Sequence, residues 1–190
     1  VEDGFEFTLE QDSLSSAMGA RLPNRSLWML QAEVGGGKSL ISQRIIYGLL
    51  ENGVKVLAVT TELTTRGWIE QMESIGYPVT EHIASGRLMV FSRFGVIAET
   101  RDDVGIFDVL DSDAITKADV VVIDTASSLM PSDLDTKQKD EVLFLYFNNN
   151  EVISKLFLFV SECKFQTLSK LVKIKLSNMV PVFFKTPTTL

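Results

Sequence analysis

Residues Ser26 to Tyr47, SLWMLQAEVGGGKSLISQRIIY, restrict the fold more than any other stretch of the chain. Leu27 to Gln31 is apolar enough for a buried strand. Gly35, Gly36 and Gly37 break it, and Lys38 and Ser39 open an amphipathic helix. Strand, glycine loop, Lys-Ser and helix in that order make a P-loop, or Walker A, context. There, exposed backbone N–H groups and the positive end of the helix hold phosphate oxygens. Lys38 would reach the β- and γ-phosphates of a nucleotide such as ATP, and the Ser39 hydroxyl would join a Mg²⁺ shell. The expected binding residues are Glu33, Val34, Gly35, Gly36, Gly37, Lys38, Ser39 and Leu40. The usual pattern G-x-x-x-x-G-K-S/T has Gly where this chain has Ala32. Alanine adopts fewer backbone conformations, a departure that bears on loop geometry more than on phosphate binding.

The rest of the chain supplies an alternation of strands and helices. Leu14 and Met18 have helical spacing, and Pro23-Asn24 signals a turn before the central strand. The helix after Lys38 is expected to put Leu40, Ile41, Ile45, Ile46, Leu49 and Leu50 on one face, with Gln43 and Arg44 elsewhere. Val54 to Val59 reads as a strand apolar on both faces that stops in TTELTT. Thr64 or Thr65 can cap the next helix, which carries Trp68, Ile69, Met72 and Ile75 inward. Further strands are expected at Arg87 to Ser92, Ala118 to Thr125 and Lys155 to Glu162, with helices at 104–115 and 135–146. LVKIKLS and VPVFFK suggest two closing strands within about 171–185, joined across Asn178. Strands joined by long connections imply an α/β fold, a mostly parallel central sheet covered by helices on both faces. At 190 residues the chain is expected to be one domain, with residues 1–25 as a lead-in.

Two carboxylates turn the loop into a candidate site. Asp124 ends the run Val120-Val121-Val122-Ile123, the form of a Walker B strand, and would hold Mg²⁺ through water opposite Ser39. Glu62 follows the second strand at the sheet's carboxyl edge, where ligands of such folds gather. A carboxylate there can orient and partly deprotonate a water attacking the γ-phosphate, a catalytic role; it also suits a helix start, where acids are favoured by the dipole. Thr60, Thr61 and Thr125 are candidate supporting hydroxyls. Lys173 and Lys175 either contact a nucleotide on a neighbouring subunit or form the wet face of an edge strand.

Composition excludes several alternatives. The formal net charge of −7 argues against broad nucleic-acid binding, which depends on lysine and arginine. Cys163 and His82 are the only residues of their kinds, so neither a disulfide within the chain nor a multi-histidine zinc site can form. His82, in the polar stretch TEHIASG, is expected at the surface. No apolar run approaches bilayer length and no basic-then-apolar signal opens the chain, so a cytoplasmic location is expected.

The lead-in GARLPNRSLWMLQAEVGGGKS resembles the KaiC-type branch of the RecA-like ATPases. Within that branch, Ser42 to Tyr77, with TTELTT and the helix that follows, is similar to the accessory ATPases of the archaellum, the archaeal flagellum (the FlaH or ArlH family). The resemblance is specific over about residues 5–92 and again over 118–130. It implies a RecA/KaiC-like P-loop NTPase that tends to form hexameric rings, docked at the cytoplasmic face of a membrane motor complex. It also implies the motor ATPase FlaI and the components FlaX and FlaJ as partners. Carried over residue by residue, Lys38 and Ser39 fall on Walker A, Asp124 on Walker B and Glu62 on the catalytic-type glutamate. KaiC proteins often carry two adjacent glutamates there; this chain has Glu62 alone.

Three functions fit these residues. The first is an ATP- and Mg²⁺-dependent assembly switch with little or conditional hydrolysis, as the resemblance implies. The second is an active KaiC-like ATPase or autokinase, for which no arginine stands out as the finger that speeds phosphoryl transfer. The third is a RecA-like DNA-dependent ATPase, opposed by the acidic balance. The first accounts for most of the sequence.

Overall fold

The computed structural model describes residues 4–10, 12–31, 35–94, 105, 108–109, 111–130, 133–135 and 138, together with the strands at 156–161 and 171–175. A short antiparallel ribbon pairs β1 (Gly4–Glu6) with β2 (Arg21–Pro23), and α1 (Leu14–Met18) lies between them in the chain. Among the described residues the main sheet has six strands in the order β5-β4-β6-β7-β3-β8, every neighbouring pair parallel. These are β3 (Leu27–Gln31), β4 (Val56–Thr64), β5 (Leu88–Phe94), β6 (Val120–Asp124), β7 (Leu156–Ser161) and β8 (Leu171–Lys175). The helices are α2 (Lys38–Glu51), α3 (Thr65–Ser74), α4 (Thr80–Ala84) and α5 (Asp113–Lys117), with a 3-10 turn at Ala126–Leu129.

The period-2 geometry of a strand explains the two cores. Trp28, Leu30, Val56, Ala58, Val120 and Val122 face one side and pack with Ile45, Ile46, Leu49 and Leu50 of α2 and Trp68 and Met72 of α3. Leu27, Met29, Leu57, Val59, Val121 and Ile123 face the other and pack with Ile115 of α5, Leu129 and Met130. Strands buried on both faces need continuous apolar sequence, which is how these runs read. The expected architecture of helices on both faces of a parallel sheet is the one observed.

Several expectations are corrected. In α2, Leu40 is 50% exposed, whereas Gln43 and Arg44 are 2% and 4% exposed. For Arg44 the cause lies in the lead-in, which packs against α2. Arg44 grips the Asp12 carboxylate with both Nε and Nη2, and its Nη1 donates to the Phe7 carbonyl at 2.9 Å. At Gly48 a Cβ would come within 2.2 Å of that same carbonyl oxygen, so glycine lets the lead-in approach. His82 is buried at 6% exposure rather than at the surface. Its Nε2 lies 3.0 Å from Glu51 Oε1, and its ring stands edge-on to Tyr47.

Further points concern element bounds and facing. Ile75 is exposed, because α3 has ended and Ile75 serves as its C-cap. β4 begins at Val56 rather than Val54 and, stopping within TTELTT as expected, reaches past Val59 to Thr64, which caps α3 by accepting from Gly67 N–H at 3.1 Å. The helix expected over 104–115 is interrupted by a turn at Asp111 and Ser112 before α5 begins. LVKIK forms a strand parallel to β3; the hairpin expected with VPVFFK across Asn178, and most of 135–146, lie outside the described residues.

The bidentate grip of Arg44 on Asp12 is the main polar tie between lead-in and sheet layer. Arg44→Met should destabilise the protein by about 3 kcal/mol, the low end for breaking a buried pair, since Asp12 retains some solvent contact. Chemical denaturation checks this; an unchanged midpoint would show the tie to be incidental.

Candidate functional site

The glycine loop comes directly after β3. Gly35 (φ 76°) and Gly37 (φ 77°) have left-handed backbone, a conformation that side-chain-bearing residues rarely adopt. Gly37 is also the N-cap of α2, so the positive end of that helix opens at the loop, where an anion is favoured. Gly35, Gly36 and Gly37 are exposed, whereas Lys38 is 7% exposed. Glu33 and Val34 lie outside the described residues, as does Ala32.

Opposite the loop, β4 and β6 run in parallel register with Thr60 beside Asp124. Both strands therefore deliver their carboxyl ends to the same edge. The pairing of β4 with β5 slips between Thr60 and Thr64, and Glu62 sits in that irregularity. The Thr60 hydroxyl oxygen shapes it by accepting from the N–H groups of Glu62 at 3.4 Å and Leu63 at 3.3 Å. The Ser92 hydroxyl donates to the Leu63 carbonyl at 2.6 Å from the neighbouring strand. Glu62 is thereby turned out of the ladder and stands exposed.

Ser39, Glu62 and Asp124 line one cleft of about 110 Å³ with Gln43, Thr60, Leu63, Trp68 and Gln71. Three residues chosen from separate parts of the sequence are thus brought together. Asp124 hydrogen-bonds the Ser39 side chain, and Ser42 Oγ is 3.5 Å from Asp124 Oδ2 while also donating to the Ser39 carbonyl at 2.8 Å. Burial pushes the Asp124 carboxyl above its ordinary pKa, and the charge of Glu62 pushes the same way, against the hydroxyls of Ser39, Thr125 and Ser42. A half-buried carboxylate beside a serine hydroxyl, all oxygen donors with room for water, suits Mg²⁺. Thr125 completes the edge: its hydroxyl lies 3.1 Å from Glu62 Oε1.

Gln43 and Gln71 were not expected in the site. Gln43 Nε2 donates to Gln71 Oε1 at 2.6 Å across the cleft. The signal lay in spacing, since Gln43 is one helical turn beyond Ser39 and shares its face. Lys173 and Lys175 belong to β8, beside β3, with Lys175 in register with Gln31.

A glycine loop with buried lysine, a serine–aspartate pair and an edge glutamate on a parallel sheet define a P-loop nucleotide site of RecA type. Residues 9–167 match the model of the KaiC ATPase family, and the chain belongs to that family. Its relatives there include archaeal flagellar ATP-binding proteins named FlaH. The chain is 30% identical to FlaH of Methanocaldococcus jannaschii over 151 residues, covering 79% of this chain and 64% of that protein. To FlaH of Methanococcus voltae it is 26% identical over 136 residues, covering 71% and 59%. To FlaH of Sulfolobus acidocaldarius it is 26% identical over 184 residues, covering 92% and 75%. The chain thus spans less than two thirds of the first two relatives. The crystal structure of the flagellar accessory protein FlaH from Methanocaldococcus jannaschii superposes with a TM-score of 0.69 at 24% identity, covering 90% of this chain and 80% of that one. The RecA/KaiC-like fold expected from the sequence is therefore the fold found.

The elevated Asp124 carboxyl has a consequence for the ligand-free protein. Because the folded state holds this proton more tightly than the unfolded chain, stability falls as pH rises from the ordinary aspartate range through the elevated folded value. Asp124→Asn should therefore melt higher than wild type at neutral pH without nucleotide, and the difference should close as the pH falls toward that ordinary range. Calorimetry across pH tests this; an Asn variant that melts no higher at neutral pH would contradict it.

Proposed function

We propose that this chain is an ATP-binding regulatory subunit of an archaellum motor complex, a nucleotide-dependent assembly switch with little or conditional hydrolysis. The observation that carries the reading is the shared cleft in which Ser39, Asp124 and Glu62 meet beside the glycine loop. In this reading Gly35, Gly36, Gly37 and Leu40 contribute backbone N–H groups to the phosphates, and Lys38 supplies the positive charge. Ser39 and Asp124 hold Mg²⁺, the aspartate through water. Glu62 holds a water against the terminal phosphate. Glu33 and Val34 complete the loop.

The names of the relatives support ATP binding and a place in the archaellum. Membership of the KaiC family and the likeness to FlaH support a hexameric ring, with the motor ATPase FlaI and the components FlaX and FlaJ as partners at the cytoplasmic base of the motor. Among the described residues no helix is long and apolar enough to cross a membrane, so docking would run through those partners. A ligand shifts an assembly equilibrium only through its different affinity for the two states. The segment Thr60 to Thr64, which carries Glu62 and leads directly into α3, is the natural transmitter.

The exposed Glu62 with its Thr125 hydrogen bond also favours a second reading, an active KaiC-like ATPase. Purified protein separates the two. Lys38→Ala should lose at least tenfold in ATP affinity, as removal of a charged phosphate contact does; unchanged affinity would sink the site assignment. Particle mass should differ with and without ATP and Mg²⁺. Multiple turnovers per minute that vanish in Glu62→Gln would replace the switch by the hydrolase.

A further inference from the structure

We propose that the Thr125 hydroxyl is a positioning group that couples the orientation of Glu62 to occupation of Asp124 by a divalent cation. The inference rests on the Mg²⁺-nucleotide reading of the cleft and deepens it. Thr125 is 5% exposed, and its backbone is fixed on both sides by one neighbour. Its N–H donates to Thr61 Oγ1 at 2.9 Å, and the Thr61 hydroxyl donates to its carbonyl at 3.3 Å. A β-branched side chain on a pinned backbone has little choice of rotamer. Thr125 Oγ1 is thus held between two carboxylates, 3.1 Å from Glu62 Oε1 and 3.3 Å from Asp124 Oδ1.

A hydroxyl has one proton to donate. Two ionised carboxylates compete for it, so only one is served at a time. Were Asp124 to hold a cation, its carboxylate would be a weaker acceptor for that proton. The proton then goes to Glu62. Glu62 is held at its backbone by the Thr60 hydroxyl, so a fixed carboxyl end leaves the side chain one orientation in the cleft. With a cation held at Asp124, Thr125 would keep Glu62 turned toward the water that it holds against the terminal phosphate. ADP, lacking that phosphate, gains nothing from the change.

The test compares wild type with Thr125→Val, which keeps the branched shape and the bonds to Thr61 but removes the proton, and with Thr125→Ser, which restores it. Affinities for ATP and ADP are measured by displacement of a fluorescent ATP analogue, once with Mg²⁺ and once with EDTA. With Mg²⁺, the preference for ATP over ADP should fall about fivefold in Thr125→Val, the net scale of one ordinary hydrogen bond. With EDTA the variant should match wild type, and Thr125→Ser should match wild type in both. A Thr125→Val protein with full preference in Mg²⁺, or with the same loss in EDTA, overturns the proposal. If that variant unfolds, Glu62→Gln at the exposed end of the bond should lose the same Mg²⁺-dependent preference, and retention of it counts against the coupling. Wild-type protein that binds ATP equally with Mg²⁺ and EDTA overturns the site reading itself, whereas intact wild-type binding with an unaltered variant removes only the role of the hydroxyl.

Discussion

The parallel register of β4 and β6 is the constraint on which the site depends. Thr60 lies beside Asp124, and past that point the ladder gives way to hydrogen bonds between Thr61 and Thr125. In a parallel pair both strands run out at the same edge, so the residues just beyond are brought together without belonging to the ladder. Glu62 and Thr125 occupy those positions. A slip of one residue would exchange the two faces of β4 and bury the wrong set of side chains. The valine-rich cores on both faces of the sheet therefore protect the alignment of the carboxylates as firmly as any contact within the cleft.

The same arrangement makes the cleft electrostatically uneasy by itself. Asp124 is desolvated and faces the charge of Glu62, while three hydroxyls only partly compensate. Two carboxylates at a common edge favour a divalent cation because it relieves both burial and repulsion. Sites shaped this way sacrifice stability in the free state and recover it on binding. Affinity and conformational response then have the same source, which is the property a nucleotide-dependent switch requires.

How much of this was legible in the sequence depended on the range of the physics involved. Lys38, Ser39, Asp124 and Glu62 were readable because each owes its place to its own strand or helix end. Leu27 to Gln31 and Val120 to Asp124 were readable because burial on both faces leaves an unbroken apolar run. Arg44 and His82 were not, since their burial is decided by partners far along the chain, Asp12 for one and Glu51 for the other. A polar side chain enters a core when a distant group satisfies it, and no local period encodes that. Gln43 fell between the cases: its helical spacing from Ser39 was visible, but Gln71, which meets it, comes from another helix. Leu40 misled for the opposite reason, because an apolar residue beside the loop fits the helical pattern while facing solvent.

The position of β3 within the sheet bears on how the protein comes into being. The strand that carries the glycine loop is flanked by β7 and β8, with Leu27 opposite Phe157 on one side and Leu171 on the other. Among the described residues, no strand earlier than β7 pairs with it. As the chain leaves the ribosome, β4, β5 and β6 can find one another while β3 must wait. Closing so long a loop is entropically costly and slow. The glycine loop is made before β4 to β7 and is held in the sheet only after them. A nascent or shortened chain could form much of its hydrophobic interior and still be unable to grip a phosphate, so ligand competence would mark completion of the whole sheet.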